Sequence, residues 1–249
     1  MNWFLRLFCP GTLLLGLLLL SGPAMAQDIT FSLGDETSIS ARTIQLILII
    51  TVLSLAPGLI IMVTCFPFLV TVLAILRQAI GLQQSPPNML MVSLALFLTY
   101  FVMEPVFVKA WEDGLSPLIN EEIDTETAFT RTLQPFRAFM AARVDPDTYQ
   151  SMAALRPESP EQGALAESSS LAVLVPSFLL SEIARAFQIG FLIFLPFLVI
   201  DLVVAAILMS MGMMMVPPAM VSLPFKLAFF VIADGWSLIA SALVRSYPL

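Results

Sequence analysis

Residues 186–225 read AFQIGFLIFLPFLVIDLVVAAILMSMGMMMVPPAMVSLPF, and Asp201 is the only charged residue among them. As one straight helix the stretch would reach ~60 Å, about twice a hydrocarbon core, so it must turn back on itself. The turn falls at Gly212 and Pro217-Pro218, since glycine accepts a left-handed backbone and two successive prolines remove two helix donors. Around it stand five methionines, Met209, Met211, Met213, Met214 and Met215. Their thioether chains are long, unbranched and polarizable, and they can repack against changing partners. A deformable apolar seal is one use for them, and filling gaps between packed helices is the other.

Outside this hairpin the composition points the same way. With 59% hydrophobic and 12% charged residues and several uncharged runs longer than a span needs, the chain reads as an integral membrane protein. Arg6, the apolar run 13–20 and Ala24-Met25-Ala26 have the form of a cleaved secretory signal, which would leave Gln27 as the mature amino terminus. Cys9 falls inside that signal, so Cys65 alone remains and no intrachain disulfide is expected. The chain has no histidine, which removes the commonest general base and metal ligand together. It also lacks phosphate-loop, dinucleotide and nucleophile-elbow patterns, and its formal net charge is -7 without a basic patch. No enzyme, cofactor, metal or nucleic acid is expected.

Four regions follow. Residues 1–26 are the signal, 27–108 a first apolar helical hairpin, 109–170 an acidic lobe and linker, and 171–249 a second apolar hairpin with the methionine loop at 209–218. The uncharged stretch between Arg42 and Arg77 is too long for one straight crossing and carries Pro57-Gly58 and Pro67, so a kinked or re-entrant helix is expected there. The second apolar segment runs from Met89 to about Val108. The lobe holds eleven of the eighteen acidic residues, which makes it aqueous. Within it, 129–140 and 147–155 have helical spacing, capped by Thr127 or Asp145, ahead of a disordered link at 157–170. The remaining spans are placed at about 186–210 and 219–244. With a cleaved signal, the lobe lies outside the cytoplasm and the methionine loop faces it. The positive-inside rule adds little, because the inner loops carry only Arg77.

Five charges sit in or beside the last two apolar regions: Glu182, Arg185, Asp201, Lys226 and Asp234. Each is costly at a bilayer centre, by ~2.5 to 3.5 kcal/mol on insertion scales, so they should pair or face water. Glu182 and Arg185 are three apart and can meet on one helical face. Lys226 lacks a neighbour of opposite sign and should reach Glu182 or Asp201, within the hairpin or on another chain. A proton or ion relay, as in an ion-coupled transporter, competes here with contacts that specify an oligomer. The lack of histidine favours assembly.

The strings FLIFLPFLVID (191–201) and MSMGMMMVPP (209–218), with LRQAIGLQQSPPN and LALFLTYFVMEPV at 76–106, closely resemble the FliP family of flagellar type III export gates. The resemblance covers nearly the whole chain after the signal. It implies a non-enzymatic, pore-forming subunit that assembles as five copies with FliQ and FliR, beside FlhB and FlhA, in the inner membrane at the flagellar basal body. It also implies a channel for unfolded flagellar subunits, closed by a gasket formed by Met209, Met211, Met213, Met214 and Met215. Injectisome export gates share these motifs, and the signal and larger lobe favour the flagellar version. One departure stands at 64–69, where Thr64-Cys65-Phe66-Pro67-Phe68-Leu69 replaces the family's common TSFTRI, losing an arginine and adding a proline. A local kink is expected there. The fold class expected is an all-α integral membrane protein of helical hairpins with a small helical extracytoplasmic lobe, assembling into an oligomeric ring.

Overall fold

Residues Leu171–Ser210 form one unbroken helix of 40 residues, ~60 Å long. The computed structural model that contains it describes residues 36–81, 86–156, 169–213 and 215–247, and every described element is helical. The signal at 1–26 with Gln27, residues 157–168 of the link, and Met214 lie outside the described residues.

The helices are α1 (Glu36–Met62), α2 (Phe66–Ile80), α3 (Asn88–Ala110), α4 (Ser116–Ile119), α5 (Thr125–Arg143), α6 (Pro146–Ala154), α7 (Leu171–Ser210), α8 (Pro218–Ile232) and α9 (Gly235–Arg245). A single π-helical turn, Trp111–Leu115, joins α3 to α4. Two compact units divide the chain, Met1–Leu53 and Ser54–Leu249. The described part of the first is the leading portion of α1.

Three helical stretches are long and apolar enough to cross a membrane: Thr43–Met62, Asn88–Ile119 and Leu171–Ser210. Helices α8 and α9, bent by 61° at a short break, make a fourth if they act as one span. No residue of the Thr43–Met62 window is buried, a long apolar surface that calls for lipid or partner protein. In contrast, α2 is too short to span. Its Phe68, Leu69, Val72, Leu73, Leu76, Ala79 and Ile80 are buried. That spacing defines one helical face, which packs chiefly on α7 and also on α3.

Several boundaries differ from the sequence expectation. Helix α1 continues through Pro57 and stops at Met62, so the break precedes Pro67. The physical reason is that a proline in a first helical turn loses only a donor that would be unpaired anyway. The hydroxyl of Thr64 closes the break by donating to Ile61 O at 2.9 Å. The charges Glu182 and Arg185 do not interrupt the third span either, because Glu182 has partners that let the helix run back to Leu171. Asp124, and not Thr127, caps α5 and receives the Thr127 amide, while Asp145 caps α6 and receives the Thr148 amide at 2.9 Å. The span expected at 219–244 breaks at Ala233-Asp234, where Asp234 is left-handed (φ 47°) and the buried Gly235 lies under the Phe230 ring.

The hydrogen bonds from Thr127 and Thr148 hold the Asp124 and Asp145 carboxyls below their ordinary value of 3.8. A depressed carboxyl stabilises the fold fully above its unfolded pKa, and that contribution is lost as pH falls through the native value. The lobe should therefore become more susceptible to an acid-active protease below about pH 3.9. Because asparagine caps as well as aspartate but does not titrate, Asp124→Asn with Asp145→Asn should remove that pH dependence.

At the π turn, Gly114 meets α5 closely. A Cβ there would stand 2.1 Å from Thr132 Oγ1, 2.7 Å from its amide nitrogen and 2.9 Å from its Cα. Rotating the threonine side chain cannot relieve a backbone clash. Gly114→Ala should destabilise the α3–α5 packing by about 1–3 kcal/mol, the range for overpacking, read as a lower melting temperature of the solubilised chain.

Candidate functional site

The hairpin between α7 and α8 is built by its backbone. The Gly212 amide donates to Met209 O and the Met213 amide to Leu208 O, both at 3.0 Å, with Gly212 at φ +72°. This is the paired closure of a Schellman turn, whose left-handed position glycine fills without strain. Pro217 then caps α8 and Pro218 opens it. The described methionines of the turn all face outward: Met209, Met211, Met213 and Met215 are 63%, 66%, 41% and 97% exposed. They do not fill gaps in the chain's own core. Beside them α7 and α8 flank a half-open, wholly apolar groove of about 510 Å³, lined by Val203, Ile207, Val221 and Phe225, to which Met211 and Met213 also contribute.

Below the hairpin, the ion pair that the sequence left open is resolved in favour of Asp201. Lys226 Nζ lies 2.6 Å from Asp201 Oδ2 and 3.1 Å from Ala79 O. The Ser222 hydroxyl donates to Asp201 Oδ1 at 2.6 Å. Ala79 O belongs to the last turn of α2, which ends at the left-handed Gly81 (φ 87°). Lys226 thus caps the negative end of α2 while neutralising α7, tying three helices at one point. One turn of α8 separates Ser222 from Lys226, which places both on the same face.

The second charged cluster has Glu182 at its centre, fully buried. Its Oε1 accepts from Arg143 Nε at 3.0 Å and lies 3.7 Å from Arg185 Nη1, and its Oε2 accepts from the Tyr247 hydroxyl. The Arg143 Nη1 donates to Ser246 O at 2.8 Å, and its guanidinium lies 4.0 Å from the Tyr247 ring centroid. The lobe, the base of α7 and the residues after α9 are thereby joined through one carboxylate. Sequence spacing anticipated Arg185 and missed Arg143 and Tyr247. The available signal was an imbalance of demand, since a carboxylate in an apolar run needs more than one half-exposed neighbour. Asp234 joins neither cluster; it occupies the α8–α9 bend.

Among the described residues no group of three or more histidine, cysteine, aspartate or glutamate side chains could hold a metal. The arrangement is that of a membrane protein in which Glu182 and Lys226, both buried, are paired within the chain, while four exposed methionines stand on one hairpin tip. The profile of the FliP family matches residues 49–243. The flagellar biosynthetic protein FliP of Caulobacter vibrioides is 50% identical over 90% of this chain and 84% of its own length. Its counterpart in Rhizobium meliloti is 46% identical over 95% of this chain and 98% of its own, and that of Bacillus subtilis 44% over 87% and 97%. The chain belongs to the FliP family of flagellar biosynthetic proteins.

Proposed function

We propose that this chain is a pore-forming subunit of the flagellar type III export gate. Copies of it assemble into a ring of five with FliQ and FliR, with FlhB and FlhA as further partners, in the bacterial inner membrane at the basal body. The ring conducts unfolded flagellar subunits, and the acidic lobe stands outside the cytoplasm. Met209, Met211, Met213, Met214 and Met215 close the channel, held at the tip by Gly212, Pro217 and Pro218. Glu182, Arg185, Asp201, Lys226 and Asp234 serve assembly, fixing the helices whose outer faces meet neighbouring copies.

The observation that carries the reading is the outward exposure of the described methionines on a turn closed by its own backbone. Such a turn needs no methionine for its geometry, and although Met211 and Met213 also line the groove between α7 and α8, all four remain open to what lies outside the chain. A ring of them would exclude ions by dewetting and repack around a passing polypeptide. Met209→Ala, Met211→Ala and Met213→Ala together should leave assembly intact and raise ion conductance across the membrane. Leucine at the same positions keeps the volume but stiffens the chain, and should seal while slowing export. An alanine triple variant that assembles, exports at the normal rate and conducts no extra ions would reduce the hairpin to packing.

A further inference from the structure

Residues 89–108 of α3 form an apolar stretch in which Glu104 is the only charge. Trp111, exposed at the start of the π turn, is the kind of residue that settles at the headgroup level. Glu104 stands ~10 Å before it along the helix axis, on the side of the apolar stretch. Its side chain is exposed, and among the described residues it has neither a hydrogen bond nor an ion pair. A carboxylate at that depth is costly and normally has a partner.

Pro105 follows it directly. A proline within a helix has no amide hydrogen, so Phe101 O loses the donor four residues on, and at membrane depth a freed carbonyl has to be met by a neighbouring element. Helical side chains lean toward the amino terminus, which carries the Glu104 carboxylate back over the turn of Tyr100 and Phe101. Two acceptors, one of them charged, therefore stand together. Around them Phe97, Tyr100, Phe101 and Trp111 are exposed at helical spacing, while Leu98 and Val102 on the opposite face are buried.

This is an acceptor site for a cation. Lys226 shows the same chemistry inside the chain, held at once by a carboxylate, Asp201 Oδ2 at 2.6 Å, and a helix carbonyl, Ala79 O at 3.1 Å. The aromatic surround adds to the fit, because ammonium and guanidinium groups are attracted to the faces of such rings. Within the spanning stretches Arg185 and Lys226 are already paired, and Lys109 and Arg245 sit in the last turns of their helices. A second copy thus offers no free cation at this depth, and the complement falls to another protein.

We propose that an apolar helix of another membrane protein docks on this face of α3 and sets one lysine or arginine against the Glu104 carboxylate and the Phe101 carbonyl. Such docking requires only the membrane fold and holds whether or not the chain lines a pore.

Benzoylphenylalanine is placed at the exposed Tyr100 of the full-length chain, irradiated in native membranes, and its product mapped by mass spectrometry. The expected product joins Tyr100 to an apolar segment of a different protein that carries one lysine or arginine. Glu104→Lys should lower the yield about tenfold, the equivalent of one charge-assisted hydrogen bond, and reversing the partner's cation to glutamate should restore it. Glu104 has no partner in its own chain, so the variant should keep the native protease pattern; if that pattern changes, Glu104→Gln takes its place. A product formed only with a second copy or with lipid, or a partner segment without a basic residue, overturns the docking. So does a yield that Glu104→Lys leaves undiminished or that the reversal fails to restore.

Discussion

Glu182→Ala should release the lobe from the membrane helices. Its carboxylate is fully buried and is the shared partner of Arg143, Arg185 and the Tyr247 hydroxyl. Alanine leaves Arg143 buried with no counter-ion, and removing one member of a buried pair typically costs ~3–5 kcal/mol. That is a large share of the ~5–15 kcal/mol by which ordinary domains are stable. The expected reading is rapid proteolysis within 109–156 in the solubilised chain, with the α7–α8 hairpin still protected. Glu182→Gln keeps an acceptor for Arg143 and should fall between. Tyr247→Phe removes one hydrogen bond but leaves the ring against the guanidinium, and should cost about 1 kcal/mol. Native-like protease resistance in Glu182→Ala would mean that the lobe is held by its apolar contacts alone.

The same cluster shows how far the sequence could be read. Arg185 was legible because three residues along a helix is one face. Arg143 lies 39 residues from Glu182 and Tyr247 lies 65 away, and no local periodicity links them. The lobe's five basic residues were equal candidates from composition alone. The methionine hairpin was legible for the opposite reason: glycine and proline act through their own backbone, so Gly212 and Pro217-Pro218 mark a turn without reference to the rest of the fold. Proline was less informative inside the spans. Helices run through Pro57, Pro105 and Pro196, while the break before Pro67 comes from a preference for the first helical turn. The Asp-Gly signal at 234–235 was present but hidden inside an apolar run.

The charges of α7 and α8 divide in the same way. The need of Lys226 for a carboxylate followed from its apolar surroundings, but its second contact, Ala79 O at the end of α2, depends on how α2 packs. That extra contact decides what substitutions should do. With Asp201→Ala, Lys226 stays 7% exposed and keeps a carbonyl but no counter-charge. Because the Asp201 carboxylate is 38% exposed, the penalty should fall below the ~3–5 kcal/mol of a fully buried pair, seen as a loss of assembled complex in detergent.

Replacing both charges by apolar residues of similar size should be milder, because it leaves neither Lys226 nor Asp201 without a counter-charge. Asp201→Leu with Lys226→Met should therefore assemble nearly as the native chain does, while Asp201→Leu alone, which strands the buried Lys226, does not. Ser222, which loses Asp201 as its acceptor, retains Ala219 O at 3.3 Å. If the double variant fails as badly as Asp201→Ala, the ion pair is needed for more than mutual neutralisation, and the cap on α2 becomes the interaction to test. If it assembles and export stops, the charges act on what passes through the gate, which would favour a relay over assembly. Assembly with export retained is the expected result, since the pair joins α2, α7 and α8 within one chain and the exposed methionines lie beyond it at the hairpin tip.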